Sequence, residues 1–305
     1  MSKASKTLPL FMAAVLLASG CSTATAQPIA ATVDFSALEE RRAAAVTTVP
    51  EDKMSGTILL IEEEEVVEEP WTPPEDSEYL VYTSEDADYP LSLEYQEFFS
   101  KCVFVGDSIC SGLKNWGILP PENVYAQGNV GVRNVFDDWV TYEFNGKETC
   151  VADILKELQP EYIVCWMGMN DVNFFGADTY IEKYDEFITT VHEVTPYSKF
   201  IVLSTTPVAY REDGKIFTYN TDIDAFNEAL KDYCIKERKA TYVDVAHPFR
   251  EWDGTLKQEY LGTADGVHLN KSAYIPMLYA FGQRAVDGKE WQSDGTFIDV
   301  APILK

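Results

Sequence analysis

Two short polar motifs carry residue types that can perform nucleophilic catalysis. Gly106-Asp107-Ser108 directly follows an apolar run, and Asp265-Gly-Val-His268 lies much later in the chain. A serine hydroxyl becomes an effective nucleophile when a neighbouring base removes its proton, and histidine can take that proton near neutral pH. A nearby carboxylate can orient the imidazole and stabilise its charged form. Taken alone, however, Ser108 fits a polar turn or a helix N-cap at least as well as a nucleophile.

Two further motifs supply groups that can stabilise negative charge on oxygen. The stretch AQGNVG carries Gly128 and Gly131, and Gly168-Met-Asn170-Asp171 follows a nearly all-apolar run. Backbone N–H groups and an asparagine amide are typical donors to a developing oxyanion. The alternative for Asn170-Asp171 is an ordinary turn.

These motifs must be positioned by regular elements, and the sequence alternates between strand-length and helix-length patterns from about residue 91. Apolar runs of strand length are 102–105, 124–127, 162–167, 200–204 and 241–245, and amphipathic runs of helix length are 151–158, 179–194, 223–239 and 271–285. Thr179 followed by Glu182 predicts a capping box at the start of the second of these helices. The alternation predicts a parallel sheet with helices on both sides. Loops at the carboxyl ends of its strands would then carry the function.

All four motifs fall in such loops, and their order resembles the SGNH (GDSL) hydrolase family over most of residues 98–285. The resemblance implies an α/β fold with three α/β/α layers, flavodoxin-like, around a mainly parallel five-stranded sheet. It makes Ser108 the nucleophile, His268 the base and Asp265 its orienting acid. It also implies an enzyme without a metal or an organic cofactor.

The resemblance assigns the oxyanion hole to three groups: the backbone N–H groups of Ser108 and Gly131, and the side-chain amide of Asn170. Gly128 remains an alternative to Gly131 if the register is shifted. Family members commonly have Asn where this chain has Ala126. The glycine at 131 is expected because a side chain there would crowd the approaching substrate.

The remaining candidate residues have competing interpretations. Asp107 is expected to fix the loop that presents Ser108, and His247 remains a minor alternative to His268 as the base. One of Phe174 and Phe175 is expected to line the substrate cleft. Arg133 either binds an anionic substrate or, as we favour, pairs with an aspartate of this acidic chain.

The charge and the cysteines limit the possible partners. The formal net charge of −26 argues against nucleic acid and anionic membrane surfaces. Five cysteines follow Cys21, an odd number whose spacing matches no zinc motif, so neither a disulfide framework nor a metal site is expected. Cys102 and Cys165 are expected to pack as small hydrophobes in buried strands.

The N-terminal region predicts export. Residues 1–21 combine Lys3 and Lys6 with a short apolar run that ends in LASGC, which resembles a bacterial lipobox with Cys21 as the lipidated residue. An ordinary signal peptide cleaved near residues 24–27 is the alternative. Residues 22–90 carry 17 acidic and 3 basic residues and predict an extended linker, so that residues 91–305 form the hydrolase domain.

These observations predict an exported, lipid-anchored serine esterase that faces outward and hydrolyses acyl esters, chiefly acetyl esters on carbohydrate, through an acyl-enzyme intermediate. Contact with the membrane is expected through the anchor only. Three alternatives remain open: an O-acetyltransferase of surface polysaccharide, a lysophospholipase or lipase, and a carbohydrate-binding surface module without activity. A small acyl ester or an acetylated saccharide is the expected partner.

Overall fold

Five strands pair in parallel at the centre of the computed structural model, which describes residues 88–304. Their order is β2-β1-β5-β6-β7. The strands are β1 (Cys102–Gly106), β2 (Val124–Ala126), β3 (Tyr142–Phe144), β4 (Lys147–Thr149), β5 (Tyr162–Trp166), β6 (Lys199–Leu203), β7 (Thr241–Val243), β8 (Lys289–Trp291) and β9 (Phe297–Asp299). The four strands outside the sheet form two antiparallel hairpins, β3–β4 and β8–β9.

Six α-helices flank the sheet within residues 88–304. They are α1 (Leu93–Ser100), α2 (Ser108–Asn115), α3 (Val151–Leu158), α4 (Ala177–Val194), α5 (Asn220–Glu237) and α6 (Tyr274–Ala285). The connection from β1 to β2 runs toward one edge of the sheet, and the later connections to β5, β6 and β7 run toward the other edge. Because such crossovers are right-handed, α2 lies on one face and α3, α4 and α5 lie on the other. This is the expected three-layer α/β/α arrangement.

Side-chain contacts join the helices within each layer. Phe98 of α1 packs against Phe281 of α6 with ring centroids 5.2 Å apart. On the opposite face, Tyr180 of α4 and Phe226 of α5 lie 4.4 Å apart. The strands between these layers are buried on both faces, which explains their nearly continuous apolar sequence. Cys102 and Cys165 are buried in β1 and β5, as expected.

The sequence identified all five sheet strands and four of the helices, with ends shifted by a few residues. The capping box predicted at Thr179 is wrong: α4 begins two residues earlier, at Ala177, and Gly176 is its N-cap without a side-chain hydrogen bond. Helix α1 and both hairpins were not predicted, and α2 was expected only as the helix that Ser108 could cap, without a range. The signal peptide, Cys21 and the linker up to residue 87 lie outside the described residues. Within residues 88–304, no helix combines the length and apolarity needed to cross a bilayer.

The C-terminal tail packs on the domain. The N–H groups of Ile303 and Leu304 both donate to the carbonyl oxygen of Ala285, at 2.8 and 2.9 Å, and the Ile303 side chain is buried. The residues that follow the β8–β9 hairpin are thereby held against the last residue of α6.

Helices α2 and α6 approach closely at a glycine. The Tyr274 hydroxyl donates to the carbonyl oxygen of Ile109 at 2.7 Å, and a Cβ at Gly112 would lie only 1.8 Å from that hydroxyl. Alanine normally favours a helix over glycine by up to about 1 kcal/mol. Overpacking a filled core typically costs about 1–3 kcal/mol and therefore exceeds that gain here.

We expect Gly112→Ala to lower the free energy of unfolding by about 1–2 kcal/mol, measured by urea denaturation. Gly128→Ala is the matched control, because a Cβ at Gly128 has no neighbour within 4 Å, and it should change stability by no more than about 0.5 kcal/mol. A Gly112→Ala protein as stable as the wild type would contradict the close packing of α2 on α6.

Candidate active site

Ser108 is the first residue of α2, directly after β1, and Asp107 is the N-cap of this helix. The Asp107 carboxylate accepts hydrogen bonds from the N–H groups of Ile109 at 2.9 Å and Cys110 at 3.4 Å. The interpretation of Ser108 as the N-cap is therefore wrong. Because the neighbouring aspartate caps the helix, the Ser108 side chain is available for another partner.

That partner is His268. Ser108 Oγ lies 2.9 Å from His268 Nε2, and His268 Nδ1 lies 2.5 Å from Asp265 Oδ2. A continuous chain of hydroxyl, imidazole and carboxylate thus connects the two motifs. Ser108 and Asp265 are 157 positions apart in the sequence. A histidine held in this way can accept a proton from the serine while the carboxylate faces its other nitrogen.

The loop around Asp265 keeps this carboxylate ionised. Its Oδ1 accepts hydrogen bonds from the Thr263 hydroxyl at 2.6 Å and from the N–H groups of Val267 and His268 at 2.8 and 3.1 Å. Partial burial raises the pKa of Asp265, but the hydrogen bonds from His268, Thr263 and Val267 outweigh it and hold that pKa well below its usual range. The carboxylate is consequently a permanent anion beside the imidazole at neutral pH.

The loop is also fixed to its neighbour. The carbonyl oxygen of Gly266 accepts a hydrogen bond from the N–H of Ala209 at 2.8 Å. Gly266 has a φ of +82°, and a Cβ there would lie 2.4 Å from the carbonyl oxygen of Ala209. Both the left-handed backbone and the close approach therefore require glycine between Asp265 and His268.

The other two histidines lie elsewhere. His247 stacks on Trp291 of the C-terminal hairpin at 4.5 Å, and burial lowers the pKa of its imidazole. His192 Nε2 lies 2.9 Å from the carbonyl oxygen of Lys239. The structure thus brings His268, and not His247, to Ser108.

The two loops predicted to supply oxyanion donors are in direct contact. Asn170 Nδ2 donates to the carbonyl oxygen of Val130 at 3.0 Å. The N–H of Gly131 donates to Asn134 Oδ1 at 2.8 Å. An oxyanion that receives the Gly131 N–H must therefore share it with Asn134 or displace that side chain. The contact of Asn134 with Gly131 was not predicted. The sequence did carry a signal for it, because a polar side chain three residues after a helix cap often accepts a hydrogen bond from the N–H of the cap residue.

The requirement for glycine at 131 has a different cause from the one expected. A Cβ there would lie 2.4 Å from both carboxylate oxygens of Asp171, a side chain that is fully buried. Asp171 Oδ2 in turn accepts a hydrogen bond from the N–H of Val132 at 3.0 Å. The space that a side chain at residue 131 would fill is thus occupied by the buried Asp171 carboxylate. A side chain at residue 128 would instead have no neighbour within 4 Å.

Arg133 pairs with this aspartate, as favoured from the sequence. Its guanidinium lies 3.3 Å from Asp171 Oδ1 and donates to the carbonyl oxygen of Asn170. The guanidinium also lies 4.2 Å from the centre of the Phe174 ring. Phe174 is exposed, whereas Phe175 is partly buried against the core.

Two buried carboxylates lie under the site. Burial, with a smaller contribution from the nearby Asp171, raises the pKa of Asp107 to about 7, although hydrogen bonds from the N–H groups of Ile109 and Cys110 oppose the shift. Burial also raises the pKa of Asp171, against the effect of Val132 and Arg133. Within residues 88–304, no three His, Cys, Asp or Glu side chains gather as metal ligands.

The raised pKa of Asp107 makes stability depend on pH. An unfolded aspartate has a pKa of about 3.9, so the folded chain holds one more proton than the unfolded chain between about pH 4 and pH 7. The free energy of unfolding of the wild type should therefore fall as pH rises through this window. Asp107→Asn can still cap α2 but does not titrate, so it should gain ~2–4 kcal/mol relative to the wild type between pH 4 and pH 8.

Urea denaturation of both proteins at several pH values measures this difference. Asp253→Asn is the control, because hydrogen bonds from Thr255 lower the pKa of this exposed aspartate and its pH-dependent contribution therefore lies below about pH 4. Its difference from the wild type should stay constant from pH 4 to pH 8. A difference between Asp107→Asn and wild type that is constant from pH 4 to pH 8 would contradict the raised pKa.

Comparison with known proteins agrees with the geometry. The sequence profile of the GDSL-like Lipase/Acylhydrolase family matches residues 104–274, a segment that contains all four motifs. Comparison with curated proteins finds no matching sequence.

The solved structures that are similar to this chain include the following three. A GDSL-like lipase from Bacteroides thetaiotaomicron is 19% identical, with a TM-score of 0.44, over 66% of this chain and 94% of that one. A carbohydrate esterase family 3 protein from Talaromyces cellulolyticus is 16% identical, with a TM-score of 0.41, over 60% and 94%. A catalytic mutant of an acetylxylan esterase from Geobacillus stearothermophilus is 17% identical, with a TM-score of 0.41, over 60% and 92%. With the family profile matched over more than half of its length, this chain belongs to the GDSL-like lipase/acylhydrolase family.

Proposed function

We propose that this acylhydrolase is an exported serine esterase that removes short acyl groups, chiefly acetyl groups, from carbohydrate. The observation that carries the proposal is the chain of contacts from Ser108 through His268 to Asp265, at 2.9 and 2.5 Å. Such a chain is the machinery of acyl transfer through a covalent serine ester.

The proposed reaction has two steps. Ser108 Oγ attacks the ester carbonyl carbon while His268 Nε2 takes its proton. His268 then gives that proton to the sugar oxygen as the bond between this oxygen and the acyl carbon breaks, so that the sugar leaves with a free hydroxyl. Water attacks the resulting acyl-serine with His268 again as base, which releases the carboxylic acid and regenerates the serine. Asp265 stays ionised and stabilises the imidazolium in both steps.

Negative charge on the carbonyl oxygen would be received by three donors. Asp107 uses the N–H groups of Ile109 and Cys110, which leaves the N–H of Ser108 at the start of α2 for the oxyanion. The Asn170 amide and the Gly131 N–H lie on the adjoining loop pair. Removing one such donor typically costs about 100- to 1,000-fold in rate.

A short acyl group is supported by the side chains around the site. The loops after β2, β5, β6 and β7 contain no exposed large aliphatic side chain among the described residues. A long acyl chain would need an extended aliphatic surface to bury its methylene groups, each worth about 0.8 kcal/mol.

We expect Ser108→Ala to lower the rate of p-nitrophenyl acetate hydrolysis at least about 10,000-fold, because it removes the hydroxyl that lies 2.9 Å from His268 Nε2 and that would attack the ester. A fluorophosphonate should label the wild type at Ser108 and leave the variant unlabelled. Initial rates and mass spectrometry of the labelled protein measure the two effects.

Ser111→Ala is the matched control. It removes a hydroxyl one turn further along α2, where Ser111 Oγ donates to the carbonyl oxygen of Ser108 at 2.8 Å, and should retain labelling and most of the activity. Folded wild-type protein that neither hydrolyses the acetate nor reacts with the fluorophosphonate would refute the serine mechanism.

We also propose that the protein is anchored outside the membrane through a lipid on Cys21. The support is the sequence alone: two lysines, a short apolar run and LASGC, followed by an acidic linker. Expressed in a bacterium, the wild type should incorporate radiolabelled palmitate and sediment with membranes, and Cys21→Ala should do neither. Unlabelled wild type with a new N-terminus near residues 24–27 would instead establish an ordinary signal peptide.

A further inference from the structure

The loops at the carboxyl end of the sheet carry an unusual concentration of exposed aromatic rings. Each of the four loops that follow β2, β5, β6 and β7 presents at least one. The exposed rings in these loops are Phe136, Trp139, Phe174, Tyr210, Tyr219 and Trp252. Rings of this size are normally buried, so a group of them around one edge points to a binding surface.

The same loops expose no large aliphatic side chain. The exposed aliphatic residues of residues 88–304 lie on helices or in the C-terminal hairpin: Leu93, Leu158, Ile235 and Ile298. An acyl chain or a hydrophobic protein partner is normally met by aliphatic side chains as well as rings. A surface of separated rings among polar residues instead suits a ligand with alternating apolar faces and hydroxyl edges.

Phe174 lies on the oxyanion side of the site. Its ring is 60% exposed and rests on the Arg133 guanidinium at 4.2 Å. That guanidinium donates to the carbonyl oxygen of Asn170. The ring is therefore held in place by the residue that also contacts the predicted oxyanion donor.

Tyr210 lies on the histidine side. The N–H of the preceding residue, Ala209, donates to the carbonyl oxygen of Gly266, between Asp265 and His268. Tyr210 is 56% exposed. Phe174 is thus joined through Arg133 to the loop of Asn170, and Tyr210 follows the residue that is hydrogen-bonded to the loop of Asp265 and His268.

Trp252 extends this surface beyond Tyr210. It lies in a tight turn closed by the hydrogen bond from the Glu251 N–H to the Thr255 carbonyl oxygen at 2.8 Å, and its side chain is 95% exposed. The turn is tied to the Tyr210 loop, because the Leu256 N–H donates to the carbonyl oxygen of Val208 at 3.1 Å.

We infer that Phe174, Tyr210 and Trp252 form an aromatic track that binds several sugar rings of a neutral, acetylated polysaccharide chain across the active site. The C–H face of a pyranose ring is apolar and covers a flat aromatic ring, while its hydroxyl groups remain in water. A polyanionic glycan is disfavoured, because residues 91–305 carry 33 acidic and 19 basic residues. The inference rests on the proposed esterase function and adds the length and class of its substrate.

The test measures glycan binding separately from catalysis. Full-length protein carrying Ser108→Ala is run in native gels that contain acetylated xylan or acetylated glucomannan, so that no hydrolysis occurs during the measurement. We expect retardation by at least one of these neutral polysaccharides. Adding Phe174→Ala, Tyr210→Ala or Trp252→Ala should weaken the apparent affinity by about 3- to 10-fold each.

Tyr197→Ala is the matched control. Tyr197 is 92% exposed but lies in the turn before the amino end of β6, at the opposite edge of the sheet, so its removal should leave retardation unchanged. In the Ser108 background, absence of retardation by both glycans, or an equal loss with Tyr197→Ala, would overturn the inference.

Kinetics distinguish the track from the esterase function itself. In otherwise wild-type protein, the track variants should lower kcat/KM for acetylated xylan oligosaccharides at least about 3-fold more than for p-nitrophenyl acetate. Loss confined to p-nitrophenyl octanoate would assign the rings to an acyl chain and overturn the inference. Wild-type protein inactive on every ester would refute the esterase, whereas the gel result would still decide glycan binding.

Discussion

The active site depends on the parallel pairing of β1 with β5. These two strands lie where the strand order reverses, so that the chain leaves β1 and β5 toward opposite sides and opens a crevice between their carboxyl ends. Gly106 pairs with Trp166, and the N–H of Asp107 extends the ladder to the Trp166 carbonyl oxygen at 3.3 Å. This register sets where the loops that carry Ser108 and Asn170 leave the sheet. A shift by one residue would reverse the facing of every side chain in β1 and separate the two.

Three carboxylates at this crevice have three different environments. Asp265 accepts four hydrogen bonds and is stabilised as an anion, whereas Asp107 and Asp171 are buried and have raised pKa values. Desolvation of Asp107 and Asp171 lowers the stability of the fold near neutral pH. The same two side chains hold the start of α2 and the loop that carries Gly131. Burying these carboxylates thus lowers stability at the two loops that, in the proposed mechanism, hold the oxyanion donors in place.

The parts of the site that sequence could predict are those determined locally. Asp265 and His268 are three residues apart on one loop, and Ser108 follows directly from a strand whose apolar residues identify it. The structural role of Asp171 could not be predicted, because its side chain packs against Gly131, which lies 40 positions earlier in the chain. The partner of Arg133 could not be determined from the sequence either. Whether this guanidinium binds a ligand or an aspartate depends on which side chains the fold brings next to it.

Other features were missed although the sequence carried a signal. Asn145-Gly146 is a strong hairpin turn, and both residues have positive φ values, 52° and 74°, as the tight turn between β3 and β4 requires. Helix α1 is short and includes the buried polar residue Gln96, so its apolar pattern is weak. Asn134 lies three residues after Gly131, a spacing that is typical of a capping contact. The N–H of Gly131 was considered only as a possible oxyanion donor, so its bond to Asn134 was missed.

In the proposed mechanism, the Gly131 N–H has two alternative acceptors, the Asn134 side chain and the oxyanion. At rest, this N–H donates to the neutral amide oxygen of Asn134 at 2.8 Å. A neutral ester carbonyl offers no stronger acceptor, so substrate binding alone gains little by displacing Asn134. The tetrahedral intermediate carries a full negative charge, and hydrogen bonds to charged oxygen are roughly twice as strong as neutral ones. The exchange therefore favours the transition state over the bound ester, and only a difference of this kind accelerates the chemical step.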